Sequence, residues 1–150
     1  TAETRGLPIG GLDRDHEALE GLRSVIECVH ADLEGAPWPL PGRQFDGVIV
    51  TNYLWRPLWP DLLRALAPCG VFLVETFAQG QQSVGRPRRP EFLLQHGELL
   101  QLCQALRVVA YEDGVLEAPL RYVQRIVATA PDPLDRLPGP PLHAPAGSYG

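Results

Sequence analysis

Short apolar runs alternate with segments of helical periodicity along most of the chain, and this alternation predicts parallel βαβ units. The strongest strand pattern is at residues 46–51, whose apolar side chains are β-branched and occupy both faces. Strands of this kind are covered on both sides, so we expect helices on both faces of the sheet. Another buried strand is predicted at residues 71–74, and shorter strands at residues 7–12 and 25–29. The pattern is that of an α/β domain.

Three helices are predicted along the chain. The first covers residues 15–22 and can be capped by Asp15. The second begins near Pro57 and ends at Pro68-Cys69-Gly70, a sequence that does not continue a helix. The third has apolar residues at positions i, i+3, i+4 and i+7. The apolar stripes of the second and third helices consist of Leu58, Leu62, Leu63 and Leu66, and of Leu99, Leu102, Cys103 and Leu106.

Two further strands are predicted at residues 107–112 and 122–130. Asp113-Gly114 between them is a hairpin-turn signal, which makes the last strand antiparallel to its neighbour. Beyond residue 130 the composition changes, since the final 20 residues hold six prolines and three glycines and few large apolar side chains. We therefore expect one domain over residues 1–130 and a disordered tail over residues 131–150.

The composition excludes several kinds of chemistry. The 150 residues include 13 basic side chains, all of them arginine, and 18 acidic ones, which gives a formal net charge of −5. Without lysine there is no Schiff-base nucleophile and no phosphate-loop lysine. The negative charge argues against nucleic-acid binding, and no apolar run is long enough for a membrane span. We expect a cytoplasmic protein without a nucleic-acid or membrane partner, and the oligomeric state stays open.

Residues that form metal sites or catalytic triads are scattered. The three cysteines and four histidines show no metal-ligand spacing, so no metal site is predicted. None of the three serines lies in a G-x-S-x-G elbow, which leaves no support for a serine hydrolase. Cys28, Cys69 and Cys103 each lie in or beside an apolar run, and we expect them to be buried free thiols.

Four segments, in their order along the chain, carry a resemblance to a known family. They are Gly11-Leu12-Asp13-Arg14-Asp15, Ala31-Asp32-Leu33, Phe45-Asp46-Gly47-Val48-Ile49-Val50 with Thr51-Asn52, and Leu66-Ala67-Pro68-Cys69-Gly70-Val71. Over residues 5–130 the chain resembles the class I S-adenosylmethionine-dependent methyltransferases. The resemblance implies an α/β fold with an incomplete Rossmann-like, doubly wound sheet, mostly parallel with an antiparallel last strand.

The resemblance also implies a cofactor, S-adenosyl-L-methionine, and residues that bind it. Asp13 matches the acidic residue that accepts hydrogen bonds from the ribose hydroxyls, as in other dinucleotide-type folds. Asp32 matches the aspartate that meets the adenine amino group, with Leu33 along the ring. Thr51 and Asn52 match the strand end that faces the methyl donor. The donor-binding residues so implied are Asp13, Arg14, Asp32, Leu33, Thr51 and Asn52.

Neither the methyl acceptor nor a catalytic residue is identified by the sequence. A small-molecule acceptor is favoured because no RNA-binding module is visible. Tyr53 and Trp55 follow the strongest strand and can wall the acceptor pocket. Arg86, Arg88 and Arg89 lie in the loop after the next strand and can bind an anionic substrate. Core packing of the aromatic residues and a solvated loop for the arginines are the alternative interpretations.

The chain departs from the family's pattern in two places. Cys69 stands in a turn where the family usually has glycine, and we expect the turn to tolerate it. At the amino end, the family's first strand and its glycine-rich donor loop have no counterpart before Asp13. The resemblance thus implies a carboxyl-terminal fragment of a methyltransferase, with two strand edges left unpaired. Such a chain should bind the donor weakly or not at all.

Two other functional classes remain open from the sequence. One is a non-catalytic, Rossmann-like interaction domain; donor binding by a chain extended upstream of Thr1 would argue against it. The other is a nicotinamide-dependent oxidoreductase, which also ends a strand with an acidic ribose ligand. The match of Ala31-Asp32-Leu33 and the antiparallel last strand disfavour the oxidoreductase.

The expected weak donor binding can be measured by isothermal titration calorimetry. The purified chain, titrated with S-adenosylhomocysteine, should give no saturable heat in the micromolar range, because the loop that holds the amino-acid portion of the donor has no counterpart here. A complete methyltransferase titrated in the same buffer is the positive control. Micromolar binding by this chain would contradict the expectation.

Overall fold

The computed structural model describes residues 10–13, 27–30 and 33–133, the first two segments by their backbone. The described elements follow in chain order. They are β1 (Gly10–Asp13), β2 (Glu27–His30), β3 (Phe45–Thr51), a 3₁₀ turn (Arg56–Leu58), α1 (Trp59–Arg64), β4 (Leu66–Phe77), α2 (Gln81–Val84), a second 3₁₀ turn (Pro90–Phe92), α3 (Glu98–Leu102), β5 (Arg107–Glu117) and β6 (Leu120–Thr129). The predicted helix at residues 15–22, and the predicted tail from residue 134 onward, lie outside the described residues.

The described strands form two sheets. β1 and β2 pair in parallel, with Asp13 opposite His30. The larger sheet has the order β3-β4-β6-β5, in which β3 is parallel to β4 and β6 is antiparallel to both β4 and β5. The predicted α/β class and antiparallel last strand are confirmed. Among the described strands β3 pairs with β4 alone, and no pairing joins β1 to β3.

The core lies against one face of β4. Phe72 and Val74 are fully buried, whereas the residues that alternate with them are exposed or half-buried, as expected for a strand covered on one side. Trp59 of α1 packs edge-on against Phe72 with ring centroids 5.5 Å apart. The Trp59 indole N–H donates a 3.0 Å hydrogen bond to the carbonyl of Leu102 in α3. This one side chain therefore fixes both helices on the same face of the sheet.

The second face of the sheet is not packed by any described helix. Val50 of β3 is buried in the core with Val74 and Ile126. Ile49, on the opposite face of β3, is 71% exposed. The described helices α1 and α3 both pack on the Val50 side. The prediction that helices cover both sides of β3 stays untested, because the predicted helix at residues 15–22 lies outside the described residues.

The helix after β3 is shorter than predicted. It ends at Arg64, and Leu66 is already the first residue of β4, opposite Phe45. The N–H of Phe45 donates a 2.7 Å hydrogen bond to the carbonyl of Ala65, so strand pairing captures the residues that the helical stripe included. Pro68-Cys69-Gly70 consequently lies within β4, so the prediction that this sequence ends the helix is wrong.

Helix α3 is also short and covers five residues. Leu99 and Cys103 of its predicted stripe are fully buried, whereas Leu102 and Leu106 are half-buried. None of the described helices is long and apolar enough to cross a membrane.

The predicted turn at Asp113-Gly114 is wrong. Strand β5 continues through both residues, which pair with Gln124 and Val123 of β6. The chain reverses at Ala118-Pro119 instead. Each residue in the extended part of β5 pairs with a residue of β6. Pro119 suits the turn because it has no N–H group that the ladder would need as a donor. The antiparallel pair is therefore longer than the local turn signal indicates.

The cysteines differ in their surroundings. Cys103 is fully buried, and this burial raises the pKa of its thiol to about 11. Cys69 is exposed, so the expectation of a buried thiol is wrong there. It lies within β4, directly after Pro68. The side chain of Cys28 lies outside the described residues.

The backbone at Cys69 has a conformation that suits the glycine implied there by the resemblance. Cys69 has a φ of 61°, in the left-handed region that costs a side-chain-bearing residue roughly 1–2 kcal/mol. Replacing Cys69 by glycine should therefore stabilise the protein by about 1 kcal/mol in urea-induced unfolding. Cys69→Ala is the matched control, because it removes the thiol but keeps the Cβ, and it should give no comparable gain. Equal stabilisation by both variants would show that backbone strain is not the cause.

Candidate functional site

The candidate site lies at the carboxyl end of β3, where parallel-sheet proteins bind their ligands. Thr51 is the last residue of β3 and is exposed. Asn52 follows with a φ of 53°, a conformation that asparagine tolerates better than most residues. Its N–H donates a 2.9 Å hydrogen bond to the carbonyl of Glu75 in β4. The chain therefore turns sharply as it leaves the sheet and presents both polar side chains at this edge.

The predicted donor-binding residues are only partly within the described residues. Asp13 is the last residue of β1, at the carboxyl end of that strand. Its side chain, Arg14 and Asp32 lie outside the description. Leu33 is half-buried and packs against the hydrophobic core. For Asp13, Arg14 and Asp32 the donor-binding roles stay predictions from the sequence.

The aromatic residues after β3 lie at the border of the core. Tyr53 and Trp55 are half-buried and pack against it, whereas Trp59 is 4% exposed and belongs to it. Trp59 is thus a core residue. Tyr53 and Trp55 have part of their surface facing outward, and their role at an acceptor pocket stays a prediction.

Glu75 is tied into the sheet. β4 extends to Phe77, three residues beyond the predicted strand 71–74, so Glu75 pairs with Thr51 inside the sheet. Its carboxylate accepts a contact from Arg125 Nε at 3.1 Å, and Arg125 Nη1 lies 3.3 Å from Glu112 Oε2. The Glu75 carboxylate is therefore already engaged by a neighbouring strand.

The segment that follows β4 leaves the sheet and rejoins it at two residues that are bonded to each other. Residues 79–93, which we name the arginine loop, leave the end of β4 after Ala78 and return at Leu94, and these two flanking residues form a parallel bridge. The N–H of Leu94 donates to the carbonyl of Phe77 at 3.0 Å, and the N–H of Gln79 donates to the carbonyl of Leu94 at 2.9 Å. Because β4 is parallel to β3, the loop begins at the edge that carries Thr51.

Arg86, Arg88 and Arg89 all lie in this loop and are exposed. Arg89 pairs with the carboxylate of Glu91, and its guanidinium lies 5.5 Å from the centroid of the Phe92 ring. Arg86 and Arg88 have no carboxylate within 4.0 Å among the described residues. The three arginines therefore share a loop, but among the described residues Arg89 alone of the three forms an ion pair with a carboxylate.

One residue that the sequence analysis missed joins the loops after β3 and β4. Arg56 donates from Nε to Glu98 Oε1 at 2.5 Å and from Nη2 to Glu98 Oε2 at 2.9 Å, a bidentate pair. It also donates to the carbonyl oxygens of Glu91 and Leu93, at 2.8 and 2.9 Å. The only sequence signal was a single charge within the apolar segment 53–59, since Glu98 is 42 positions away along the chain.

The Arg56–Glu98 pair changes the ionisation of both partners. Burial acts to raise the pKa of the Glu98 carboxyl, but the hydrogen bonds from Arg56 and from the N–H of Gln95 outweigh it and hold this pKa below its ordinary value of 4.5. The hydrogen bond to Glu98 likewise raises the pKa of Arg56. Glu98 is therefore a carboxylate throughout the neutral range and keeps the two loops together.

A buried glutamine holds the amino end of α3 from the other side. Gln124 of β6 is fully buried, and its Nε2 donates a 2.6 Å hydrogen bond to the carbonyl of Gln95. Its Oε1 accepts from the N–H of Leu99 at 3.3 Å and from the hydroxyl of Tyr111 at 3.2 Å. The return of the arginine loop into α3 is thus fixed by side chains of two different strands.

The architecture can be compared with that of known proteins. TehB from Haemophilus influenzae is 13% identical with a TM-score of 0.63, over 83% of this chain and 50% of that one. The N-methyltransferase NodS from Bradyrhizobium japonicum is 14% identical with a TM-score of 0.64, over 83% of this chain and 74% of NodS. A second NodS structure, in complex with S-adenosylhomocysteine, has a TM-score of 0.57 at 15% identity, over 81% of this chain and 66% of that one.

This chain has the fold of the class I S-adenosylmethionine-dependent methyltransferases. The methyltransferase fold by itself does not fix the reaction. The [4+2]-cyclase SpnF has a TM-score of 0.61 at 14% identity, over 87% of this chain and 68% of SpnF. The chain spans half of the TehB chain. No protein-family model and no curated protein sequence matches it.

The Arg56 contacts predict that this residue stabilises both the methyltransferase fold and the arginine loop. Arg56→Met should lower the free energy of unfolding by about 1–3 kcal/mol, since it leaves a mostly buried carboxylate and two loop carbonyls without their donor. Hydrogen exchange at Leu93 and Leu94 should become faster. Arg64→Gln is the matched control, because Arg64 makes one exposed ion pair with Asp61, and it should change stability by less than about 0.5 kcal/mol. Similar losses in both variants would contradict a special role for Arg56.

The same pair predicts a pH dependence. The pKa of Glu98 is lower in the folded than in the unfolded protein, so its stabilisation is complete above the ordinary value of 4.5 and is lost as the pH falls through the lower, folded value. The difference in unfolding free energy between wild type and Glu98→Gln should be constant at neutral pH and shrink in acid. A difference that grows on acidification would contradict this.

Proposed function

We propose that this protein transfers a methyl group from S-adenosyl-L-methionine to a small-molecule acceptor. The observation that carries the proposal is the shared fold with NodS, whose structure has been solved with S-adenosylhomocysteine, together with polar residues at matching strand ends of this chain. Asp13 ends β1, and Thr51 and Asn52 end β3. Ligands of open α/β sheets bind at these strand ends, which is where the donor belongs.

The residues at the end of β3 fit a nucleoside-type ligand. The side chains of Thr51 and Asn52 are exposed and make no hydrogen bond to other described residues, so their polar atoms are available to a ligand. Leu33 offers a half-buried apolar surface continuous with the core. By the resemblance, Asp13 and Arg14 would lie at the ribose, and Asp32 and Leu33 at the adenine.

The donor supplies an already activated methyl group, carried on a sulfonium. The protein's part is then to align the acceptor with that methyl group and to exclude water, which can provide much of the rate enhancement without acid or base catalysis. This agrees with a chain that has no lysine. Half-buried Tyr53 and Trp55, beside the end of β3, would form the apolar wall that keeps water from the reacting atoms.

The proposal predicts that S-adenosylhomocysteine contacts the chain at the strand ends, even with weak affinity. Saturation-transfer NMR detects weak complexes through the ligand's own signals, so it complements calorimetry. The ribose and adenine protons of S-adenosylhomocysteine should receive saturation from the wild-type chain. Asp13→Asn and Asp32→Asn should each weaken binding about tenfold, the effect of one lost charge-assisted hydrogen bond.

Asp46→Asn is the control for that experiment, because Asp46 is an exposed carboxylate near the opposite, amino end of β3. It should bind S-adenosylhomocysteine as the wild type does. NAD⁺, used as a second ligand, tests the nicotinamide alternative. No saturation from the wild type, or equal losses in all three variants, would overturn the proposal, and the former result would favour a non-catalytic domain.

A further inference from the structure

The arginine loop is held in one conformation by buried side chains. Gln81 is 4% exposed although it is polar, and its Nε2 donates a 2.9 Å hydrogen bond to the carbonyl of Arg86. Its Oε1 accepts a 3.0 Å hydrogen bond from the N–H of Tyr122 in β6. One buried amide thus connects the loop backbone near Arg86 to the sheet.

Close packing at the start of the loop adds to this restraint. A Cβ at Gly80 would collide with the ring of Tyr122, so the loop backbone lies directly on that ring. At the other end of the loop, Arg56 binds the carbonyls of Glu91 and Leu93. Both ends and the middle of the loop are therefore fixed, and the conformational entropy of this segment is already lost on folding.

Two guanidinium groups on this fixed loop have no acidic partner. Arg89 is neutralised by Glu91, whereas Arg86 and Arg88 are exposed and have no carboxylate within 4.0 Å among the described residues. They occur in a chain with a net charge of −5, where most arginines could find a carboxylate. Each guanidinium group is planar and suits the bidentate geometry of carboxylate and phosphate.

The position of the loop connects these charges to the proposed reaction. The loop leaves and rejoins the sheet at the carboxyl end of β4, beside the edge that carries Thr51 and Asn52. The loop that carries Arg86 and Arg88 therefore begins and ends on the side of the sheet that holds the proposed methyl-transfer site. Two guanidinium groups are far fewer than the 6–10 phosphate contacts typical of a nucleic-acid interface, so the charge suits a small anion.

We propose that Arg86 and Arg88 bind an oxyanion of the methyl acceptor, which is therefore a small molecule with a carboxylate or phosphate group. The assignment of this anion site to the acceptor rests on the proposed function. The anion binding itself rests on the loop alone. Because the loop backbone is already fixed, binding of the anion costs little additional backbone entropy.

The test is a titration of the isotope-labelled chain, followed in proton–nitrogen correlation spectra, with inorganic phosphate and with succinate as separate probes. Backbone and Nε–H signals of Arg86 and Arg88 should shift in a saturable way with at least one probe. Chloride at the same ionic strength should give no saturable shift. The probe with the tighter binding distinguishes a phosphate-bearing from a carboxylate-bearing acceptor.

Two sets of variants make the result specific. Arg86→Gln combined with Arg88→Gln should weaken the binding at least about tenfold, whereas Arg89→Gln, in the same loop but already paired with Glu91, should not. Arg86→Lys combined with Arg88→Lys keeps the charge without the bidentate geometry, so this variant should keep part of the affinity that the glutamine variant loses. Unchanged signal dispersion and melting temperature show that the exposed substitutions leave the fold intact.

Several results would overturn this inference. They are the absence of saturable shifts in the wild type, equal effects of the Arg89 and the Arg86/Arg88 variants, or tighter binding of a short single-stranded oligonucleotide than of either small anion. The proposed function fails separately: if the anions bind at the loop while S-adenosylhomocysteine shows no contact with the wild type, the anion site stands and its assignment to a methyl acceptor is overturned.

Discussion

Strand β4 is the constraint on which the rest of the described structure depends. It pairs in parallel with β3 on one side and antiparallel with β6 on the other, so its position sets the direction of both neighbours. One face of it is buried beneath Trp59, whose ring contacts Phe72 and whose indole N–H reaches α3. The burial of a few side chains on one strand consequently fixes the sheet, helices α1 and α3 and the exits of the loops.

The same strand brings the polar residues of the candidate site together. Because β3 and β4 are parallel, Thr51 and Asn52 and the arginine loop leave the sheet at one edge. Arg56 then bridges the two exits through a bidentate ion pair with Glu98. The same arginine side chain also binds the carbonyl oxygens of Glu91 and Leu93, so one residue connects the segment after β3 to the end of the arginine loop. Polar side chains hold the loop exits, whereas Leu33, Tyr53 and Trp55 pack against the core.

The functional reading combines two kinds of support of different strength. The fold shared with TehB and NodS establishes the architecture, and the cyclase SpnF shows that this architecture hosts more than one reaction. The step from the fold to methyl transfer is a proposal, and it rests on the sequence resemblance at Asp13, Asp32 and Asn52. The arginine loop adds two exposed guanidinium groups, those of Arg86 and Arg88, on a backbone that Gln81 ties to the sheet.

The sequence by itself determined the α/β class, the strands β3 and β4, the antiparallel last strand and the candidate residues at strand ends, because hydrophobic periodicity reflects which faces are buried. The tertiary structure decided where elements end. Strand pairing moved Leu66 from a helix into β4, and the β6 ladder carried β5 through Asp113-Gly114. It also decided which charges meet, since Arg56 and Glu98 are 42 positions apart, and Gln81 meets Tyr122 across 41 positions. A local sequence pattern cannot predict such contacts, because they form only when distant parts of the chain pack together.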